Sequence, residues 1–111
     1  MKEELPKFKA EFFKALAHPL RIRILELLSE GTKNVNELKT ILNSEGSAVS
    51  QQLAILRNKN IVSWRKEGTS VFYELRDPMI KDLLVVAKKI FNNHLVDNIS
   101  MLYAMQETNK K

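Results

Sequence analysis

Hydrophobic residues recur every three or four positions through most of the chain, which is the spacing of one face of an α-helix. Several residues suit the ends of such helices. Pro19 fits a first helical turn and keeps His18 out of the helical region, so we interpret His18 as a helix-entry residue and not as a ligand. Gly31 supplies a stop, and Asn36 can cap the next helix. The pattern predicts five helices, at about residues 5–17, 19–30 and 36–42, within the stretch 44–58, and at about 78–103.

Between the last two predicted helices the hydrophobic period changes to two. Residues 61–66 and 71–75 are β-rich runs on either side of the sequence Glu67-Gly68-Thr69-Ser70. Two such runs around a glycine-containing turn predict a β-hairpin, with Arg65 and Lys66 at its tip. The expected fold class is therefore mainly α (α+β).

The third and fourth predicted helices are separated only by residues 43–46, and a short extended step is expected at Asn34-Val35 before them. So short a turn is typical of DNA-binding helix-turn-helix modules. The outer edge of the fourth helix carries Ser47, Ser50 and Gln51, which can donate and accept hydrogen bonds and therefore suit base edges. Taken alone, this edge fits a plain polar surface helix about equally well.

The hairpin that follows the fourth helix favours the DNA-binding interpretation over a plain polar surface helix. A hairpin directly after a candidate recognition helix can act as a wing that lies along the phosphate backbone while the helix enters the major groove. The alternative is a structural hairpin whose charges are merely solvated. Its position in the chain favours the wing.

Charge and composition agree with a nucleic-acid partner. The chain has 18 Lys and Arg against 13 Asp and Glu, a net charge of +5, which favours an acidic partner on electrostatic grounds. It contains no cysteine, so disulfides, thiol redox switches and thiolate metal sites are excluded. The longest aliphatic run, Leu83 to Ala87, is too short to span a bilayer. We expect a cytoplasmic protein without a membrane partner.

Three segments in this order resemble the ArsR/SmtB family of winged-helix repressors: residues 13–25, residues 48–57 and residues 65–73. The resemblance extends over about residues 8–103. It implies a winged helix-turn-helix fold and a homodimer that binds double-stranded operator DNA as a repressor and leaves it when a signal arrives. The implied DNA-binding residues are Ser47, Ser50, Gln51, Gln52 and Arg57 on the recognition helix, and Arg65, Lys66, Gly68 and Thr69 on the wing.

The sequence departs from the family pattern at three positions. Gln52 stands where many members have His, so a base preference cannot be carried over. Glu45 begins the recognition helix, where a carboxylate favours the helix dipole but repels a nearby phosphate. Ser44 occupies a position that is often apolar in the family.

The last predicted helix is too long for one small domain to cover. Its 78–103 span would be about 39 Å long at ~1.5 Å per residue, and its apolar stripe continues throughout. We expect a second copy of the chain to cover it in a symmetric dimer. Phe13, on the first helix, can equally lie in the domain core or face that second subunit. The predicted interface comprises Phe8, Phe12, Phe13, Leu84, Ala87, Phe91, Leu95, Ile99, Met101 and Leu102.

The domain prediction is one winged-helix domain over residues 1–111. Its dimerisation helices are expected at about residues 5–17 and 78–103, and a flexible polar tail at 106–111.

The resemblance also raises the question of metal sensing, because the family is known for metal sites. Asn34 and Asn36 stand where its thiolate motif places cysteines, and amides bind soft metals poorly. In the family's site on the last helix, Lys81 and Leu83 replace the first two ligands. We therefore expect no metal and no cofactor.

His94 and Asp97 match only the second half of that last site. We interpret His94 as a partly buried helical histidine paired locally with Asp97. The sequence names no effector, operator or regulated gene.

Two function classes remain open. The first is a DNA-binding repressor, and the second is a winged-helix module that binds a protein partner and has no operator. An enzyme is not expected, because no glycine-rich phosphate loop or nucleophile motif occurs and His18 and His94 lie far apart.

Overall fold

The computed structural model describes residues 4–109. It confirms the predicted fold class, with five helices and a three-stranded antiparallel sheet in the order β1-β3-β2. The elements are α1 (Glu4–Leu16), α2 (Pro19–Leu28), β1 (Lys33–Asn34), α3 (Val35–Leu42), α4 (Gly46–Asn58), β2 (Val62–Glu67), β3 (Ser70–Leu75) and α5 (Met79–Asn109). The chain divides into two compact units, one ending at Lys81 and the other beginning at Asp82.

The core of the first unit is built from the apolar rows that the sequence pattern predicts. Side chains from α2, α3, α4 and the start of the wing are essentially inaccessible to solvent. Burial of each such aliphatic side chain contributes about 1.5–3 kcal/mol. The fully buried residues are Ile24, Leu25, Leu38, Val49, Leu53, Leu56, Ile61 and Val62.

The start of α2 confirms the role predicted for His18. Its backbone is extended and its Nδ1 accepts a hydrogen bond from the Leu20 N–H at 3.1 Å. This bond satisfies one of the free amides of the first helical turn, directly beside Pro19. His18 is therefore a helix cap.

The start of α3 differs from the prediction. Asn34, not Asn36, caps the helix: its Oδ1 accepts from the Glu37 N–H at 2.8 Å, and Glu37 Oε1 accepts from the Asn34 N–H at 3.2 Å. This reciprocal pair is a capping box. The extended step is Lys33–Asn34, one residue earlier than expected, because Lys33 pairs with Tyr73 in the sheet.

The helix-turn-helix is formed by α3, the turn and α4. Asn43 ends α3 in the left-handed region at φ 48°. Glu45 occupies the N-cap position of α4 without a side-chain capping hydrogen bond. Val49, Leu53 and Leu56 then fix α4 against the core.

The wing is a tight hairpin in which Glu67 pairs with Ser70. Its turn is Gly68-Thr69, with Gly68 at φ +61°, a conformation that glycine adopts without strain. Arg65 and Lys66 pair with Phe72 and Val71 within the strands. They therefore precede the tip, and the prediction that they form it is wrong because the strands continue closer to the turn.

The second unit consists of α5 from Asp82 onward. The start of α5 is capped by Asp77, whose Oδ1 accepts from the Met79 N–H at 2.9 Å. The helix has 31 residues, about 46 Å at ~1.5 Å per residue. It continues beyond residue 103 into the predicted tail, whose last two residues lie outside the described range.

Within residues 4–109, none of the helices combines the length and the apolar character that crossing a membrane requires.

The capping box gives a direct test of the α3 boundary. We expect Asn34→Ala to lower the free energy of unfolding by about 1 kcal/mol, because it leaves a first-turn amide without its acceptor. Urea unfolding followed by circular dichroism measures the change. Asn36→Ala is the matched control and should leave stability nearly unchanged, because Asn36 lies within the helix at an exposed position. Equal losses in both variants would contradict the assignment.

Candidate nucleic-acid interface

The outward side of α4 presents a row of small and amide side chains. Ser47, Ser50 and Gln51 are all exposed, whereas Val49 and Leu53 are fully buried on the opposite side. The helical period of 3.6 residues produces this separation. The three predicted residues are therefore brought together on one accessible surface.

Two further residues on this surface were missed by the sequence argument. Ala54 and Asn58 are exposed and continue the row that Ser47 and Gln51 begin. Their positions differ by four, three and four residues, which is the spacing of one helix face. That spacing was the signal that could have identified them. We call Ser47, Ser50, Gln51, Ala54 and Asn58 the outer row of α4.

Gln52 does not belong to the outer row. Its side chain is half-buried, and its Oε1 is enclosed without a hydrogen-bond partner among the described residues. Three residues after Val49 and one before Leu53, it lies toward the core side of α4. Its predicted place among base-contacting residues is therefore not supported by its orientation.

Arg57 leaves α4 near its C-terminal end and reaches the wing. Its guanidinium carbon lies 4.9 Å from the centroid of the Trp64 ring, on β2. A cation over an aromatic face at this distance is attracted to the ring. Both side chains are exposed, so the guanidinium remains accessible from solvent.

The two basic residues of the wing lie in different surroundings, because neighbouring residues of a strand point to opposite faces. Arg65 Nε lies 2.8 Å from Glu67 Oε1, and its Nη1 lies 3.9 Å from Glu74 Oε2. The hydrogen bond to Glu67 and the negative charge of that group raise the pKa of Arg65. Lys66 is exposed on the other face and has no ion pair within 4.0 Å in the described part of the chain.

The charge of the wing is consequently balanced. Arg65 and Lys66 are matched in number by Glu67 and Glu74, so residues 62–75 carry no net charge. Gly68 and Thr69 lie exposed at the turn, where backbone groups are accessible. The wing can approach a phosphate backbone through Lys66 and this turn without a broad positive field.

The aromatic residues predicted for the dimer interface lie on α1. Phe8 and Phe13 are 74% and 56% exposed, so the alternative that Phe13 lies in the core is not observed. Phe12 is half-buried and packs edge to face against Phe13 at 5.7 Å between ring centroids. Large apolar groups exposed in this way are typical of an interaction surface.

Most of the predicted interface residues of α5 are likewise exposed to solvent. Leu84 and Ala87 are half-buried, and the others are exposed by more than two-fifths of their surface. The exposed members are Phe91, Leu95, Ile99, Met101 and Leu102.

His94 is exposed, so the interpretation of a partly buried histidine is wrong for the single chain. No ion pair within 4.0 Å joins His94 to Asp97 among the described residues. The same part of the structure contains no group of three or more His, Cys, Asp or Glu residues arranged to hold a metal ion.

Comparison with known proteins gives the family. Residues 18–63 match the model described as bacterial regulatory protein, arsR family. The chain is 46% identical over 101 residues to the HTH-type transcriptional regulator Rv0081 of Mycobacterium tuberculosis, covering 90% of this chain and 89% of that protein. It is 40% identical over 74 residues to the transcriptional repressor SmtB homolog of Synechocystis sp., covering 67% of this chain and 56% of that protein.

Solved structures agree with this assignment. The crystal structure of Rv0081 superimposes with a TM-score of 0.78 at 47% identity, covering 86% of this chain and 96% of that one. The homodimeric winged helix-turn-helix DNA-binding domain of Mb0332 from Mycobacterium bovis gives a TM-score of 0.75 at 29% identity, covering 85% and 87% respectively.

These matches identify a winged helix-turn-helix transcriptional regulator, and not an enzyme. The chain belongs to the ArsR family of bacterial regulatory proteins, as the sequence motifs predicted.

Proposed function

We propose that this regulator is a homodimeric repressor that binds an inverted-repeat operator in the cytoplasm. The observation that carries the proposal is the outer row of α4, which is accessible, uncharged and held in place by a fully buried row on the opposite side. A rigid helix with such a surface suits the major groove. The protein-partner alternative receives no comparable support, because the outer row consists of Ser, Ala and amide residues and contains none of the aromatic, Met or Arg side chains that are enriched in protein interfaces.

The outer row offers groups for direct base contacts. The Gln51 amide can bond an adenine edge through two atoms, the Ser50 hydroxyl can donate or accept, and the Ala54 methyl can contact a thymine methyl. A good two-atom contact discriminates between bases by about 1–3 kcal/mol. Sequence preference should therefore come mainly from Gln51, with Ser50 and Ala54 adding to it.

The wing supplies a backbone contact. Lys66 has no carboxylate partner within 4.0 Å in the described chain, whereas Arg65 is shared between Glu67 and Glu74. A phosphate contact strengthens binding to any sequence and is weakened by salt, because it releases counterions from the DNA. We therefore assign the larger phosphate contribution to Lys66.

The dimer follows from apolar surface that the single chain leaves in contact with water. Phe8 and Phe13 on α1 and Phe91, Leu95 and Leu102 on α5 are each more than half exposed. Covering them with the same surface of a second copy would bury large side chains and generate a two-fold axis. The two α4 helices would then reach major grooves about 34 Å apart, and this demands a near-palindromic site.

The central test is selection of DNA from a genomic or random pool by the purified protein. We expect the selected fragments to share an inverted repeat whose half-sites are about one helical turn apart. Recovery of no shared sequence at low salt would refute the proposal.

Gln51 and Gln52 form a matched pair within that experiment. Gln51→Ala should relax the preference at one position of each half-site, because the amide that contacts the base is lost. Gln52→Ala removes the same group from a half-buried position and should leave the base preference unchanged. The selected sequences of both variants measure the difference, and an altered preference only for Gln52→Ala would contradict the proposed orientation of α4.

The wing charges can be tested by fluorescence anisotropy at several salt concentrations. Lys66→Ala should weaken binding to operator and unrelated duplex alike and reduce the salt slope by about 0.9. Arg65→Ala should also weaken binding to both duplexes. It leaves the carboxylates of Glu67 and Glu74 unpaired on the wing, where their negative charge repels phosphates. Glu67→Gln is the opposite control and should tighten binding. A loss confined to the operator would show that these residues contact bases instead of phosphates.

The dimer can be tested by sedimentation at micromolar concentration. Met101→Glu should shift the protein toward monomer while helical circular dichroism is retained, because it places a charge within the proposed interface. Asn93→Glu is the control: Asn93 is also exposed, but it lies nine residues before Leu102, about two and a half turns, and so on the side of α5 opposite that predicted interface residue. A monomeric wild-type protein, or equal dissociation by both variants, would contradict the interface.

A further inference from the structure

Trp64 is the only tryptophan of the chain, and its surroundings are unusual for an exposed aromatic residue. It lies on β2 directly opposite the buried Tyr73 of β3. It is nevertheless 49% exposed, and the Arg57 guanidinium lies over its ring at 4.9 Å. One part of the Trp64 side chain is thus covered by a charged group from α4.

The position of Arg57 on α4 indicates what that group contacts. Arg57 is the last residue but one of the helix, whereas base contacts of helix-turn-helix proteins come mainly from the N-terminal part of the recognition helix. At its C-terminal end a basic residue is better placed for the phosphate backbone. Arg57 also has no ion pair within 4.0 Å among residues 4–109, so no carboxylate competes with a phosphate.

An arginine on the protein surface has many rotamers, and it must give up most of them to hold a phosphate. The contact with the Trp64 ring restricts the Arg57 guanidinium before DNA arrives, while the exposed side chain remains able to donate hydrogen bonds. The backbone that carries the ring is held in place because β2 pairs with β3 along its whole length. The same contact links α4 to the wing.

We propose that Trp64 is a positioning residue, which holds Arg57 in the orientation that contacts a DNA phosphate at the junction of recognition helix and wing. This inference rests on the proposed DNA-binding function. It assigns to Trp64 no contact of its own with a base or phosphate. The effect of Trp64 on DNA affinity therefore acts through Arg57.

A double-mutant cycle on DNA affinity tests this dependence. Trp64→Leu keeps an apolar side chain but removes the aromatic face, and Trp64→Phe keeps a face. We expect Trp64→Leu to raise the Kd for the operator about two- to five-fold, the size of an exposed cation–π contact. Trp64→Phe should stay near the wild-type Kd. In an Arg57→Ala background, Trp64→Leu should cause no further loss.

Two measurements, the fluorescence of Trp64 and the salt slope of DNA binding, exclude a merely structural role for Trp64. Arg57→Ala should change the fluorescence of Trp64 in the free protein, because it removes the charge over the ring. It should also reduce the salt slope of binding by about 0.9. Trp64→Leu should reduce that slope in the same direction while sedimentation and urea unfolding remain close to wild type.

Specific outcomes would overturn the inference. Losses that multiply in the double variant would show that Trp64 acts independently of Arg57. A wild-type Kd for Trp64→Leu, or an equal loss for Trp64→Phe, would show that the aromatic face is not used. If wild-type protein selects no DNA, the proposed function itself fails, and the inference fails with it. That result is visible before any variant is compared.

Discussion

The burial of one row of α4 is the constraint on which the rest of the interface depends. Val49, Leu53 and Leu56 are inaccessible to solvent, and rotating the helix would expose all three at a cost of about 1.5–3 kcal/mol each. That cost fixes which residues face outward. The outer row is therefore set by the core, which determines the direction in which Ser47 and Gln51 present their accessible hydrogen-bonding groups.

The wing illustrates the same dependence with a different period. In a strand, alternate residues share a face, so adjacent basic residues are separated: Arg65 meets Glu67 and Glu74 on one face, while Lys66 lies on the other. Trp64 shares the face of Lys66 and meets Arg57 from α4. Because strand pairing fixes these faces, the contact between recognition helix and wing is a consequence of the hairpin register.

Much of α1 and α5 presents the opposite situation, in which exposed apolar side chains have no core to fill. Phe8, Phe91 and Leu102 are each more than half exposed, although their helical spacing resembles that of a buried face. Exposed groups of this size are costly in water unless they meet another surface. The dimer proposed for this regulator would resolve that cost and would set the distance between its two recognition helices.

Local patterns in the sequence determined the helices, the hairpin, the His18 cap and the family, because hydrophobic period and turn residues act over a few neighbouring positions. Where several residues were suitable for one structural role, tertiary structure decided which of them takes it. Asn34 caps α3 instead of Asn36 because β1 pairs Lys33 with Tyr73, a residue distant in the chain. Gln52 turns toward the core and Arg57 lies on Trp64 because packing fixes both elements. Such contacts join residues that no local period connects, so only the folded chain could specify them.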